Sequence, residues 1–363
     1  MTPNRRQFFG ALAAPFASPA AGAVPSYLRG FEKQYAQNPR AAAVEWFRQA
    51  RFGLFLHYGL YSLLERGEWV QLRDTPPIRV KEYEKLKDRF TAARFDADEI
   101  TDLALAARMR YINITTRHHD SFCLFRTRYT DFHSGNSAAR RDLVGELAAS
   151  CRKKGLGLCL YYSHGRDWRH PHAPNNDEWG GNARPKYDPP ETAYACGKEH
   201  DLQKYLDFMT GQITELLTNY GPVAAIWLDG IGVLLKGDRA RFRCQELYDH
   251  IHRLQPQVLV SYKQGLLGTE DFFAPERKAV PKDSGKPMEI CDTLQDRLWG
   301  YAKDSPHHGP DAVMKMLERA AAQRANLLLN TGPLGDGSIH SGDAATLREV
   351  GRRLKRQGFP PFV

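Results

Sequence analysis

Five side chains able to carry chemistry sit at the downstream ends of short apolar runs. His57 closes residues 52–57, His118 and His119 follow 111–116, Tyr162 closes 156–162 and Asp229 closes 223–229. Asp229 is the sharpest of them, because a carboxylate there is costly to bury without a partner or a task. Trp227 stands two residues before it. An acid beside aromatic rings and imidazoles suits a sugar: the rings pack on the C–H patches of a pyranose, while imidazole and carboxylate groups hydrogen-bond its hydroxyls. A structural ion pair is the competing reading for Asp229. A metal-dependent hydrolase using the same histidines is another. A bound metal usually wants His-x-His on one strand face or an i, i+4 helical pair, and these positions offer neither, so no metal or cofactor is expected.

The elements that carry these residues explain their placement. Apolar runs at 52–57, 111–116, 156–162, 223–229, 258–261 and 326–330, with a weaker one at 288–291, alternate with segments whose apolar residues recur every three or four positions. The clearest segment contains Leu202, Tyr205, Leu206, Met209, Ile213, Leu216 and Leu217, and stops before Gly221 and Pro222. Others cover 100–109, 143–151, 242–254 and 313–322. Strand and helix repeated at this spacing imply an α/β fold of parallel strands joined by crossover helices. The runs are apolar almost throughout, as strands covered on both faces must be. An open doubly wound sheet would advertise a Gly-rich phosphate turn after its first strand, and residues 59–63 lack GxGxxG. A (β/α)8-like TIM barrel is therefore expected, since it gathers the strand ends bearing the polar residues onto one face. Two long connections, 164–200 and 264–287, read as functional loops. The first, rich in His and Trp, is expected to form a lid.

The 363 residues are 42% hydrophobic and 26% charged, which can fill a large core and excludes a disordered chain. Fifty-one Lys and Arg against 42 Asp and Glu leave +9, but no dense basic run lies beside aromatics, so no nucleic-acid partner is expected. Six cysteines without a CxxC pair exclude a disulfide scaffold and a structural zinc site. Residues 1–23 read as an address: Arg5 and Arg6 precede a short Ala/Phe-rich run that ends Ala21, Gly22, Ala23, similar to a twin-arginine export signal cleaved after Ala23. Interrupted by Pro15 and Pro19, the run is too short to span a bilayer, and no membrane span is expected elsewhere. The expected organisation is a signal over 1–23, a linker over 24–40 and a barrel over 41–360. The mature chain would be periplasmic or extracellular, with oligomerisation left open.

The ordered set of motifs resembles the retaining α-L-fucosidases, a glycoside hydrolase family, from about Trp46 to Gly358. Residues 46–47 and 51–59 are similar to that family's opening strand, and Glu68 with Trp69 to its next substrate-binding pair. Residues 115–124 are similar to its double-histidine motif, with Tyr129 to Asp131 downstream. Residues 141–143, 160–163, 167–171, 298–301 and 326–333 continue the match. The resemblance implies hydrolysis of terminal α-L-fucosyl linkages in fucosylated oligosaccharides or glycoconjugates, by double displacement with retention. It places Asp229 as the nucleophile on C1 of fucose and requires a second carboxylic acid as acid/base. Glu276 is the choice for that role, with Glu289 as runner-up.

His57, Glu68, Trp69, His118, His119, Tyr162 and Trp227 carry over as the fucose pocket, and Trp299 as the cover of the sugar's methyl group. Neighbours on an extended strand face opposite ways, so His118 and His119 reach one sugar only if the strand bends there. Three departures stand out. Lys263, counted with the pocket, replaces an arginine of many members, and an ammonium lacks the bidentate fork of a guanidinium. Tyr58 replaces a tryptophan. The sequence ends at Val363, so no C-terminal β-sandwich is expected. The alternative to an enzyme is a fucose-binding barrel without turnover.

Overall fold

A computed structural model describes residues 23–263, 265–277 and 285–363. The expected export signal thus lies outside the described residues, apart from Ala23, as does the middle of the 264–287 connection. Seven parallel strands form one sheet: β1 (Phe52–Leu56), β2 (Tyr111–Arg117), β3 (Gly157–Ser163), β4 (Ala225–Asp229), β5 (Leu259–Ser261), β6 (Glu289–Thr293) and β7 (Asn326–Thr331), in the order β5-β4-β3-β2-β1-β7-β6. Every strand residue is buried, which is why the strands read as continuous apolar runs.

The gap between β5 and β6 is bridged by residues 271–277. Parallel bridges join Ser261 to Phe272 on one side, and Phe273 to Met288 and Glu276 to Cys291 on the other. Backbone bonds accompany them: Asp271 N–H donates to Val260 O at 2.8 Å and Glu289 N–H to Phe273 O at 2.8 Å. The curled sheet thereby closes in the manner of a (β/α)8-like barrel, as expected. These residues, expected within a loop, behave instead as an irregular eighth stave. Pro275 has no N–H to give, so the pairing stays intermittent.

The principal helices are α1 (Pro39–Arg48), α2 (Ala97–Ala106), α3 (Leu143–Lys154), α4 (Leu202–Asn219), α5 (Cys244–Leu254), α6 (Pro310–Ala322) and α7 (Ser341–Gln357). Local chemistry sets their ends. Asp142 caps α3 by accepting from the Gly145 N–H at 2.8 Å, and Gly155 at φ 71° ends it. Asp201 caps α4 through the Gln203 N–H, and Gly221 and Pro222 follow its end.

Strand residues facing outward join helices in the larger core, including Leu54, Ile112, Leu160 and Leu228. Inward residues form a second cluster with Phe55, Tyr111, Cys159, Tyr161, Trp227, Phe272 and Leu328. Beneath it sit Tyr27, Leu28, Trp46 and Phe47, which plug the barrel floor. The expected linker over 24–40 is therefore corrected: it holds the short helix Glu32–Gln37, and Leu28 is fully buried. Burying an aliphatic side chain of that kind stabilises by roughly 1.5–3 kcal/mol, enough to pin the segment.

Candidate active site

Alternation along β3 and β4 decides which side chains enter the barrel. Tyr161 pairs with Trp227 in register, so Trp227, Asp229 and Tyr161 all point inward. They floor a cavity of about 680 Å³ at the C-terminal ends of the strands, lined also by His57, Glu68, Trp69, His118, His119, Lys263, Glu276 and Trp299.

Asp229 is held from several sides. Tyr161 Oη donates to its Oδ2 at 2.6 Å, Lys263 Nζ lies 2.9 Å from Oδ1, and His119 Nε2 is 3.7 Å from Oδ2. Burial works against its charge, but Lys263 and the hydrogen bond from Tyr161 hold the carboxyl well below the usual carboxylate range. The backbone behind it is equally fixed: the N–H groups of His164 and Gly165 donate to Asp229 O at 3.0 and 2.8 Å. That approach requires glycine. Gly230 sits at φ 93°, and a Cβ on it would meet Gly165 Cα at 2.7 Å.

Lys263 also contacts Glu276 Oε1, so one ammonium joins both carboxylates. Asp229 Oδ1 and Glu276 Oε1 are then no more than about 5.2 Å apart, compatible with the ~5–5.5 Å carboxyl spacing of retaining glycosidases. Burial opposes the charge on Lys263, yet Asp229 and Glu276 raise its affinity for the proton. Its backbone is left-handed at φ 47°, an uncommon conformation for a non-glycine residue, just past the end of β5.

The imidazoles are neutral. Burial lowers His57 to about 3 despite its 2.7 Å contact from Nδ1 to Asn330 Oδ1, and burial likewise puts His118 and His119 well below the ordinary histidine range. The required bend is present: the β2–β3 register shifts between Thr115 and Arg117, and both histidines line the cavity. His119 Nδ1 contacts Ser163 Oγ at 2.6 Å, and that hydroxyl donates onward to Arg166 O at 2.7 Å. Glu68 is buried, accepting from the N–H groups of Trp299 and Gly300 at 3.0 and 2.8 Å.

Three expectations are corrected. Tyr162 faces away from the cavity, its Oη donating to Gln212 Oε1 at 2.7 Å, with the Arg117 guanidinium 4.2 Å from its ring centre. Tyr161 takes the inward place, in register with Trp227, a parity that the unbroken apolar and aromatic run of residues 156–162 does not signal. Glu289 lies beneath the cavity, accepting from Tyr111 Oη at 2.5 Å and Trp227 Nε1 at 3.0 Å, so it supports the floor without reaching the open volume. The expected lid is mostly packed: Trp168 and Trp179 are buried, Trp168 backs Trp69 at 5.3 Å, and only Arg166 of residues 164–200 lines the cavity. Sequence reasoning also missed Asn330 and Ser163, which orient His57 and His119. Among the described residues, the three metal-capable side chains that come within reach of one another, His307, His340 and Asp343, lie outside this cavity.

The family model described as alpha-L-fucosidase matches residues 23–359. The chain belongs to the alpha-L-fucosidase family. That makes it a glycoside hydrolase. It is 34% identical to alpha-L-fucosidase isoenzyme 1 from Paenibacillus thiaminolyticus, with a TM-score of 0.78 over 88% of this chain and 77% of that one. It is 28% identical to alpha-L-fucosidase AlfC from Lactobacillus casei, solved with its alpha-L-fucose product, at a TM-score of 0.74 over 86% of this chain and 98% of that one. Plasma alpha-L-fucosidase of Pongo abelii is 27% identical over 86% of this chain, which spans 68% of that protein's length.

Proposed function

We propose that this protein hydrolyses terminal α-L-fucosyl linkages of glycans by double displacement with retention. The observation that carries the reading is the pair of carboxylates, Asp229 and Glu276, meeting one ammonium in a cup walled by indoles and neutral imidazoles. In the first step Asp229 attacks C1 of fucose and forms a glycosyl ester, while Glu276, acting as the acid, passes a proton to the leaving oxygen. In the second, Glu276 removes a proton from water, the water oxygen bonds to C1 from the opposite face, and the Asp229 carboxylate is released. Glu276 is partly exposed, with 39% of its side chain accessible, which lets it exchange protons with solvent between steps. Lys263 holds Asp229 ionised and ready.

The histidines bind rather than transfer protons. His57 presents Nδ1–H to Asn330 and leaves Nε2 as an acceptor for a hydroxyl. Ser163 gives its proton to Arg166 O, so it accepts from His119 Nδ1–H. His119 Nε2, 3.7 Å from Asp229 Oδ2, is then an acceptor for a sugar hydroxyl. Trp299, 5.3 Å from His57 between ring centres, gives the sugar's methyl group an apolar wall worth ~1 kcal/mol.

The test is 4-nitrophenyl α-L-fucoside followed by proton NMR: the first-formed product is the α-anomer, and a 2-fluoro fucosyl fluoride labels the peptide containing Asp229. First-formed β-anomer, or label elsewhere, overturns the mechanism. Fucose binding with no release from the aryl fucoside leaves only a binding barrel. The proposal extends to export on the strength of Arg5, Arg6 and the small residues ending at Ala23. The mature N-terminus is then Val24 in the periplasmic or extracellular fraction, and an uncut cytoplasmic chain overturns that part.

A further inference from the structure

Four arginines line the mouth of the cavity: Arg73, Arg166, Arg277 and Arg297. Two are already engaged, Arg277 with Asp292 at 3.0 Å and Arg297 with Asp296 at 3.2 Å. The other two are not. Among the described residues, neither Arg73 nor Arg166 has a carboxylate oxygen within 4.0 Å, and Arg166 spends only its Nε, on Asn182 O at 3.0 Å. Both guanidiniums are drawn to one indole, lying 5.1 and 5.2 Å from the Trp69 ring centre. Cation–π attraction positions them but cancels none of their charge. Two like charges held over one ring repel, and each keeps N–H donors to spare.

Their place relative to the chemistry is set by a chain of contacts. His119 lies 3.7 Å from Asp229, the Trp69 ring lies 5.1 Å from His119 edge-on, and both guanidiniums lie against that ring. Arg73 is exposed and Arg166 half-buried, both on the wall of the cavity that holds Asp229, so a sugar leaving that cavity passes them. Glu68, whose carboxyl senses Arg73, is occupied by the backbone of Trp299 and Gly300.

We infer that the preferred substrate carries an anionic group, a sulfate ester or a sugar carboxylate, on the residue bearing the fucose, and that Arg73 and Arg166 receive it. Planar guanidinium forks match either oxyanion bidentately. The inference rests on the fucosidase reading and names the substrate class of the same site.

The test compares kcat/KM on α-L-fucosyl-N-acetylglucosamine, its 6-sulfate, and an α-L-fucosyl-glucuronate, with 4-nitrophenyl α-L-fucoside alongside. At low ionic strength one of the charged disaccharides exceeds the neutral one by about tenfold, and the ratio shrinks toward one at roughly 0.5 M salt, where screening reaches only a few ångströms. Whichever charged substrate leads identifies the source of the oxyanion. In Arg73→Gln/Arg166→Gln the ratio collapses to about one at all salt concentrations. A wild-type ratio of one, or a ratio the double variant leaves untouched, overturns this inference while aryl fucoside release upholds the hydrolase. No release from the aryl fucoside overturns both.

Discussion

At the scale of single residues, the two carboxylates have separable duties, and their environments say how. Asp229 is buried and kept anionic by Lys263 and Tyr161, the condition of a nucleophile. Glu276 is more open to solvent, the condition of a group that must cycle its proton. Asp229→Ala is expected to lose at least ~10³-fold in kcat on every fucoside, with partial rescue by azide giving the inverted glycosyl azide. Glu276→Ala is expected to lose ~10²-fold or more on poor leaving groups and far less on a nitrophenyl fucoside, because an activated phenolate departs unprotonated. Equal loss on both would remove Glu276 from the role. Much of this site was legible in the sequence, since Asp229, His57, His118 and His119 all end apolar runs. Tyr161 was not, because a run of consecutive apolar and aromatic residues conceals which of two adjacent tyrosines faces inward; only pairing with the neighbouring strand settles the parity.

At the scale of elements, the segment after β3 explains how His119 stays put. Arg117 at the end of β2 and Asp167 in the following connection form a fully buried ion pair. Asp167 also accepts from Ser121 Oγ at 2.8 Å and from the N–H groups of Arg169 and His170 at 2.9 and 2.7 Å, while Trp168 N–H donates to His119 O at 2.7 Å. With both Asp167 oxygens met and both terminal nitrogens of Arg117 engaged, the pair fastens the connection to the strand bearing the histidines. Asp167→Asn strands a buried guanidinium beside a weaker acceptor and is expected to cost about 3–5 kcal/mol, read as a lowered denaturant midpoint with unchanged slope. A shift under about 1 kcal/mol would mean that water reaches the pair. The sequence marks residues 164–200 as a lid from length and aromatic content, but its tryptophans turn inward as packing. Composition does not say which face of a loop meets the body.

At the scale of the whole molecule, the floor of the barrel gives stability a pH dependence. Burial raises Glu289 from an ordinary 4.5 to about 7, against the hydrogen bonds from Tyr111 and Trp227. The folded state therefore binds a proton that the unfolded chain has released. This contribution is fully present below pH 4.5 and is lost as pH rises through about 7, amounting to ~3 kcal/mol at most. Glu289→Gln is expected to flatten that part of the profile, measured as Tm from pH 4.5 to 7.5, while keeping the leaving-group dependence that Glu276→Ala disturbs. A profile as steep as before would assign the slope to Asp120, which burial also raises to about 7. The barrel itself was plain in the sequence, because strands covered on both faces need apolar residues everywhere. The stave at 271–277 was hidden, since it pairs through scattered bridges and carries Asp271, Pro275, Glu276 and Arg277.

That stave has a consequence for how such a catalyst can be altered. The nucleophile rides on a strand locked to neighbours along its length, whereas its companion acid rides on the loosest seam of the ring. Amides of 271–277 should exchange with deuterium sooner than those of the strands opposite. Insertions or swaps there would re-aim the proton donor toward new leaving sugars while the covalent step keeps its geometry, so diversification has a natural place to happen.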